Sequence, residues 1–438
     1  MTRPARGQSP SRAPSAPAGS PAGAAVCPAC ALVCTDVTRG ADGALGGGCE
    51  AGREADRLRR AAEASAPAAT IDGVAAEADA ALATAAARLG AARRVLVAGL
   101  GALVVEDVTA ACDLAETLGA AIAGASADDT LPGGPAIARH GGIGADWEEL
   151  RDRADLVLFF FHDPLPALPR FIERFVAPAP LEAGRPRRTL SVGPRPPDAP
   201  PSTGHRHLDA GPGDVAALAG LITARLLARA TGPAEARLAE AAGAILAAID
   251  GASCVALVTG APDPCGAARH AVAELVRALV QRLPAFEIPL RATAPDEAGA
   301  AAVLAWRYGT AADVPRADAA AGPPPIPFSA AEALADGAVD ALVALGPLPA
   351  HLEAAAARRA ADLEVVRIDT AAAPRPARGV FLRRVDVAVT PGTLVRADGR
   401  ALRLAGAAAG PTARELLGRL GAAAVGARRS GRAGEAAR

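Results

Sequence analysis

Short, almost unbroken apolar runs recur along this chain, separated by longer stretches whose apolar positions return every three or four residues. The short runs are Arg94–Leu100, Asp155–Phe161, Thr189–Val192, Cys254–Thr259, Asp340–Leu345, Leu363–Ile368 and Val385–Val389. Brief segments rich in Val, Leu or Phe read as strands buried on both faces. The amphipathic stretches Ile71–Leu89, Val104–Leu118, Val215–Ala228, Ala234–Ile249, Ala267–Leu283 and Leu352–Ala361 predict helices. Their alternation predicts an α/β fold: parallel sheets flanked by helices, in two lobes, with ligands beyond the carboxyl ends of the strands.

Punctuation places the boundaries. Pro178–Pro201 is rich in Pro and Arg, and Asp318–Pro327 carries three consecutive prolines, so both read as linkers. The expected order is a disordered tail (1–25), a cysteine module (26–60), a first α/β lobe (61–245) and a second (246–405). A C-terminal helix and tail (406–438) follow, with the Ala, Gly and Arg after Gly421 expected to fray.

Composition narrows the function classes. The chain has 438 residues, enough for two lobes, and its 46 basic residues are all arginine. Its alanine abundance reads as a codon bias, which weakens helix propensity as a guide. A net charge of −1 and 3% aromatics argue against a nucleic-acid surface, which needs clustered positive charge and stacking rings. No uncharged apolar run is long enough to span a membrane, and residues 1–25 lack the apolar core of a secretory signal. Seven cysteines, an odd number, argue against a disulfide framework and for a reducing cytoplasm.

Four of those cysteines carry the sharpest chemical signal. Cys27, Cys30, Cys34 and Cys49 follow the pattern C-x2-C-x3-C-x14-C, with Gly46-Gly47-Gly48 leading into the last. Such spacing gathers thiolates around one small volume, as an iron–sulfur cluster or a zinc ion requires. Structural zinc sites usually pair two C-x2-C knuckles, so this spacing fits a four-iron cluster better.

CPACALVCTDV with its Gly-Cys turn resembles the amino-terminal cluster motif of the molybdopterin oxidoreductase superfamily. More narrowly, the chain is similar to the B-type subunit of formylmethanofuran dehydrogenase and to its counterpart in the bacterial formyltransferase/hydrolase complex. The likeness continues through Gly99-Leu100-Gly101-Ala102, Leu150–Pro164, Ala302–Trp306 and Ala338–Leu348. It implies a molybdopterin-oxidoreductase-like fold, a [4Fe-4S] cluster on the four cysteines, and a Gly99–Gly101 turn facing a pyranopterin dinucleotide. Redox-active relatives carry a metal-ligating Cys-His before a Gly-Pro. Aligned on Gly134-Pro135, this chain has Pro132 and Gly133 there, neither able to ligate a soft metal.

The resemblance therefore implies a non-redox, structural subunit whose molybdopterin is ancestral and lost. Its partners would be amidohydrolase-like and formyltransferase-like subunits, in tetrahydromethanopterin-linked conversion of formaldehyde to formate. Two alternatives stay open: a redox-active subunit with [4Fe-4S] and a Mo/W-pterin, and an iron–sulfur electron carrier.

Other candidates have structural readings beside the chemical one. Gly99 and Gly101 follow a strand and precede a helix, where amides cradle phosphate, but the third fingerprint glycine is missing. A plain tight connection competes. His162-Asp163 is a possible acid–base pair, yet neighbours on a strand face opposite ways. His205-x-His207 lies in an expected Pro-rich loop with no nearby carboxylate or cysteine to complete a metal site, and His140 reads as solvated or capping. Phe159–Phe161, Trp147 and Trp306 supply aromatic area for core or subunit contact. Neither Gly-x-Ser-x-Gly nor His-Glu-x-x-His occurs, so no serine hydrolase or zinc protease is expected.

Overall fold

A computed structural model of the chain describes residues 24–40, 43–124, 141–181, 186–197, 201, 204–260, 267–290, 294–315, 328–406 and 410–436. It opens with an antiparallel ribbon, β1 (Ala24–Ala25), β2 (Val37–Arg39) and β3 (Leu45–Gly46), followed by α1 (Glu50–Ser65). A first sheet begins with β4 (Ala69–Ile71), β5 (Val74–Ala75), α2 (Ala78–Ala91), β6 (Val95–Ala98), α3 (Val105–Leu118) and β7 (Ala121–Ile122). The chain then builds a second sheet from α4 (Trp147–Arg153), β8 (Leu156–Phe160), β9 (Arg188–Gly193) and β10 (Arg206–Asp209). That sheet continues through α5 (Val215–Leu226), α6 (Ala236–Asp250), β11 (Val255–Thr259), α7 (Ala267–Val280) and β12 (Ala285–Pro289). The return passes through α8 (Glu297–Tyr308), α9 (Ala330–Ala335), β13 (Ala341–Ala344), α10 (Ala350–Arg358), β14 (Glu364–Asp369) and β15 (Val380–Arg383). The hairpin β16 (Gly392–Val395) and β17 (Ala401–Leu404) precedes α11 (Ala413–Ala436).

Both large sheets are doubly wound. The second is parallel throughout, in order β10-β9-β8-β11-β12. The first runs β5-β4-β15-β14-β13-β6-β7, parallel from β15 to β7 with the β4–β5 hairpin on its edge. Strand order reverses between β8 and β11 in one sheet and between β6 and β13 in the other. Crevices open beyond the carboxyl ends of strands at such reversals.

The strands read as apolar runs because both their faces are covered. Val95 and Val97 face the core under α2, α3, α8 and α11, while Leu96 and Ala98 face α9 and α10. In the second sheet, Leu156, Leu158 and Phe160 face α5, α6 and α7. Val157 and Phe159 face Trp147, Phe171, Phe175 and the cysteine loop. The expected α/β class with helix-flanked parallel sheets is the one found.

Several expectations need correction. The two sheets are not successive pieces of chain. Residue 245 falls inside α6, between two strands of one sheet, whereas the first sheet joins β4–β7 to β13–β15 across more than 200 residues. The start of the expected Ile71–Leu89 helix is a hairpin: Asp72 and Gly73 at φ +47° and +79° make the turn, and α2 begins only at Ala78. Val385–Val389 is no strand, because Asp386 caps a helical turn over Val387–Val389 by accepting the Ala388 N–H. Past Gly421 the chain does not fray at once: α11 continues, Ala424 is fully buried, and Arg428 donates to the Leu118 carbonyl at 3.1 Å. Ala24–Ala25, expected in the tail, pair with β2.

Candidate cluster loop and switch-point cavity

The cysteine loop folds around its own backbone. The Cys27 N–H donates to the Cys34 carbonyl at 3.0 Å, and the Val33 N–H to the Cys30 carbonyl at 3.2 Å, with Val33 in the left-handed region at φ +43°. Gly47 and Gly48, at φ +75° and +70°, swing the chain back to Cys49. Cys49 is the N-cap of α1, its Sγ accepting the Gly52 N–H at 3.4 Å. A Cβ on Gly52 would lie 2.8 Å from the Cys27 Sγ and 3.7 Å from the Cys49 Sγ, so this glycine leaves room where two sulfurs approach.

The electrostatics describe one coupled group of thiols. Burial pushes Cys30 up to about 11 and raises Cys27, and the neighbouring thiols push both the same way. Metal binding in such a pocket must displace thiol protons. Arg170 opposes the rise at Cys27 while its guanidinium is held by Asp36 at 2.7 and 3.0 Å. Among the described residues no three His, Cys, Asp or Glu side chains stand as a single-ion site. Zinc would need its sulfurs about 3.8 Å apart, whereas a four-iron cube spreads its cysteines more widely. Four thiols are the donor set that such a cluster takes, and Gly52 leaves two of the sulfurs room.

This loop also roofs a cavity. Beyond the carboxyl ends of β6, β13, β14 and β15 lies a space of about 350 Å³, bounded by Pro28 and Ala29 above and by Ala102, Pro347, Asp369 and Arg384 below. It sits at the first sheet's reversal, where ligands of doubly wound folds bind. Arg384 is almost wholly buried, donates to the Ala102 and Val385 carbonyls at 3.2 and 3.0 Å, and stands 3.6 Å from Asp369. Burial raises the Asp369 carboxyl, an effect opposed by Arg384. Arg384 Nε and Asp369 Oδ2 have no hydrogen-bond partner, although Asp369 Oδ2 stands 3.8 Å from Arg367 Nη1.

Gly99 and Gly101 stand at the same reversal, and packing explains both. Gly99 has φ +83°, and a Cβ there would come within 3.0 Å of the backbone N and O of Gly346. A Cβ on Gly101 would lie 3.1 Å from the Ala294 Cβ, and the Gly101 carbonyl already accepts the Asp296 N–H. Glu106 and Asp107 occupy the first turn of α3, where their charge opposes an anion. The turn is a close backbone crossing between β6 and β13.

No protein-family model matches the sequence, and no curated protein matches it. Among solved structures, the chain superposes with a TM-score of 0.67 and 26% identity on a chain of the formyltransferase/hydrolase complex (FhcABCD) from Methylorubrum extorquens, determined in complex with methylofuran. The match covers 82% of this chain and 99% of the other. This chain resembles a subunit of the formyltransferase/hydrolase complex.

The remaining candidates of this formyltransferase/hydrolase-like chain separate cleanly. Asp128–His140, with Pro132, Gly133 and His140, lies outside the described residues, as does Cys265. Phe159 and Phe160 pack into opposite faces of the second sheet, and Trp147 is buried against Phe171, Phe175 and the Arg396 guanidinium. Those three are core, one of the two roles expected of the cluster, and Trp306 is 77% exposed.

His205 and His207 lie not in a loose loop but at β10, joined to β9 through a hydrogen-bonded chain. Thr189 Oγ1 meets His205 Nδ1, and Ser191 Oγ meets both His205 Nε2 and His207 Nδ1, each at 2.9 Å. Sequence reasoning missed Thr189 and Ser191, although their alternation on a strand beside an i, i+2 histidine pair is a readable signal. His162 and Asp163 do not bond to each other; Asp163 accepts the Leu165 N–H at 3.0 Å.

Proposed function

We propose that this chain is the B-type structural subunit of a formyltransferase/hydrolase complex in cytoplasmic one-carbon metabolism. The superposition over 99% of a chain of such a complex carries the reading. In it, partner subunits resembling amidohydrolases and formyltransferases pass a formyl group from a tetrahydropterin carrier to a methanofuran-type cofactor and release formate. Cys27, Cys30, Cys34 and Cys49 hold a [4Fe-4S] cluster, which would supply a rigid, redox-capable cross-link when bound. This chain's own residues position: the cysteine loop joins the two sheets, and the exposed Trp306 offers an anchor to a partner. Pro132 and Gly133, in place of a ligating Cys-His, set it apart from its redox-active counterpart.

A second reading, a redox-active chain that carries a Mo/W-pterin, draws support from the roofed cavity of about 350 Å³ at the first sheet's reversal. Anaerobic purification of the tagged full-length chain from native cells separates the two. The first reading expects about four irons per chain, no stoichiometric molybdenum or tungsten, co-purifying formyl-handling subunits, and no formyl hydrolysis by the chain alone. A Trp306→Glu variant should lose partners while keeping iron. Near-unit molybdenum or tungsten with dye reduction by formyl donors establishes the second reading instead, and a lone monomer in native extract removes the scaffold role.

A further inference from the structure

The second sheet has its own cavity, apart from the cysteine loop. It lies beyond the carboxyl ends of β8 and β9, encloses about 160 Å³, and takes its apolar walls from Phe159, Phe161, Ile172 and Val192. A cavity of about 150 Å³ accommodates a benzene-sized guest. Three independent features mark it as built for one.

The first is backbone strain. Phe161 stands at φ +55°, which a bulky residue adopts only when its surroundings force it, and such strain gathers at ligand clamps. Its kink ends β8 and turns the chain so that Phe161 and His162 both line the space. The second is an unsatisfied polar atom: His162 Nε2 is buried without a hydrogen-bond partner, which a folded chain rarely tolerates. The ring passes so close over Gly260, at the end of β11, that a Cβ there would fall 2.2 Å from Nδ1. The third is Ser191. Its hydroxyl oxygen has two lone pairs and can accept from both rings, from His205 Nε2–H and from His207 Nδ1–H. Its one proton is then free for a further acceptor.

Arg195, exposed at the rim, adds a positive charge, and Asp163 a negative one partly engaged by the Leu165 N–H. We infer that this cavity binds a small organic carboxylate with a short apolar tail. The carboxyl group meets His162 Nε2 and Ser191 Oγ beneath Arg195, and the tail lies against Phe159, Phe161 and Ile172. A carboxylate suits both interior atoms, since it accepts from the imidazole N–H and from the serine O–H. The site does not depend on the iron–sulfur or scaffold reading.

The test is calorimetric titration of the full-length chain with sodium formate, acetate, propionate and butyrate, and with inorganic phosphate. Affinity should rise about fourfold per added methylene up to butyrate, and phosphate should not bind. His162→Leu should weaken butyrate by about tenfold or more while leaving the melting curve in place. Should that variant fail to fold, the His162 ring resonances of the unaltered chain decide, because butyrate must shift them. No butyrate binding, equal binding of phosphate, or unmoved His162 resonances overturn the proposal.

Discussion

The glycine crossing at the first sheet's reversal makes a prediction that separates packing from ligand binding. Gly99→Ala puts a methyl group where the backbone stands at φ +83°, costing about 1–2 kcal/mol for the left-handed conformation. The same methyl would sit 3.0 Å from the Gly346 N and O, atoms of a central strand's end that cannot rotate aside. Forcing such overlap adds about 1–3 kcal/mol, so the total loss should be about 2–5 kcal/mol. Gly346→Ala meets the Gly99 carbonyl at 2.9 Å without the conformational cost, and Gly101→Ala meets a movable methyl at 3.1 Å. The expected order of damage is Gly99, then Gly346, then Gly101. Urea denaturation of the full-length chain, followed by far-ultraviolet circular dichroism, reads the series. A Gly99→Ala loss below about 0.5 kcal/mol would refute the packing argument and return the glycines to a ligand-cradling role.

Two further predictions follow from buried charge. Arg187 donates to the carbonyls of Leu150 and Ala154 at the end of α4 and to Phe175, Val176 and Pro178, at 2.5 to 3.2 Å. Arg187→Met keeps the apolar stem but orphans these acceptors, and should cost about 3 kcal/mol in the same urea assay, with Arg187→Lys recovering only part. Asp296 is fully buried with Oδ2 unpartnered, and burial lifts its carboxyl to about 8. The folded state then holds a proton that the unfolded state has released above about pH 4, so stability falls as pH rises from about 4 to 8. Asp296→Asn removes this slope; its stability relative to the unaltered chain should improve by a few kcal/mol between pH 5 and 8, and parallel curves would contradict the burial argument.

What was legible in the sequence followed burial symmetry. β6, β8, β11 and β13 stand out as apolar runs because both faces are covered. β12 was hidden because Glu287, buried in mid-strand, is satisfied by Arg269 and by Thr259 Oγ1 at 2.6 Å, a pairing visible only in three dimensions. β10 was hidden because its histidines face Ser191 rather than an apolar layer. The Asp72-Gly73 turn was readable but lost within an alanine-rich stretch that resembles a helix. The cysteine motif announced its own loop, yet nothing local indicated that Pro28 and Ala29 roof a cavity at the other sheet, since contacts between distant segments leave no periodic trace.

The interrupted first sheet sets a timetable for synthesis. Strand β6, apolar on both faces, emerges before β13, its neighbour at Ala341–Ala344. At about 5–20 residues per second, the interval from β7 to β13 lasts roughly 10–45 s. The second sheet, whose strands all lie between residues 156 and 289, is synthesised before that wait ends. The nascent chain thus carries a complete parallel sheet beside a β6 edge that still awaits β13.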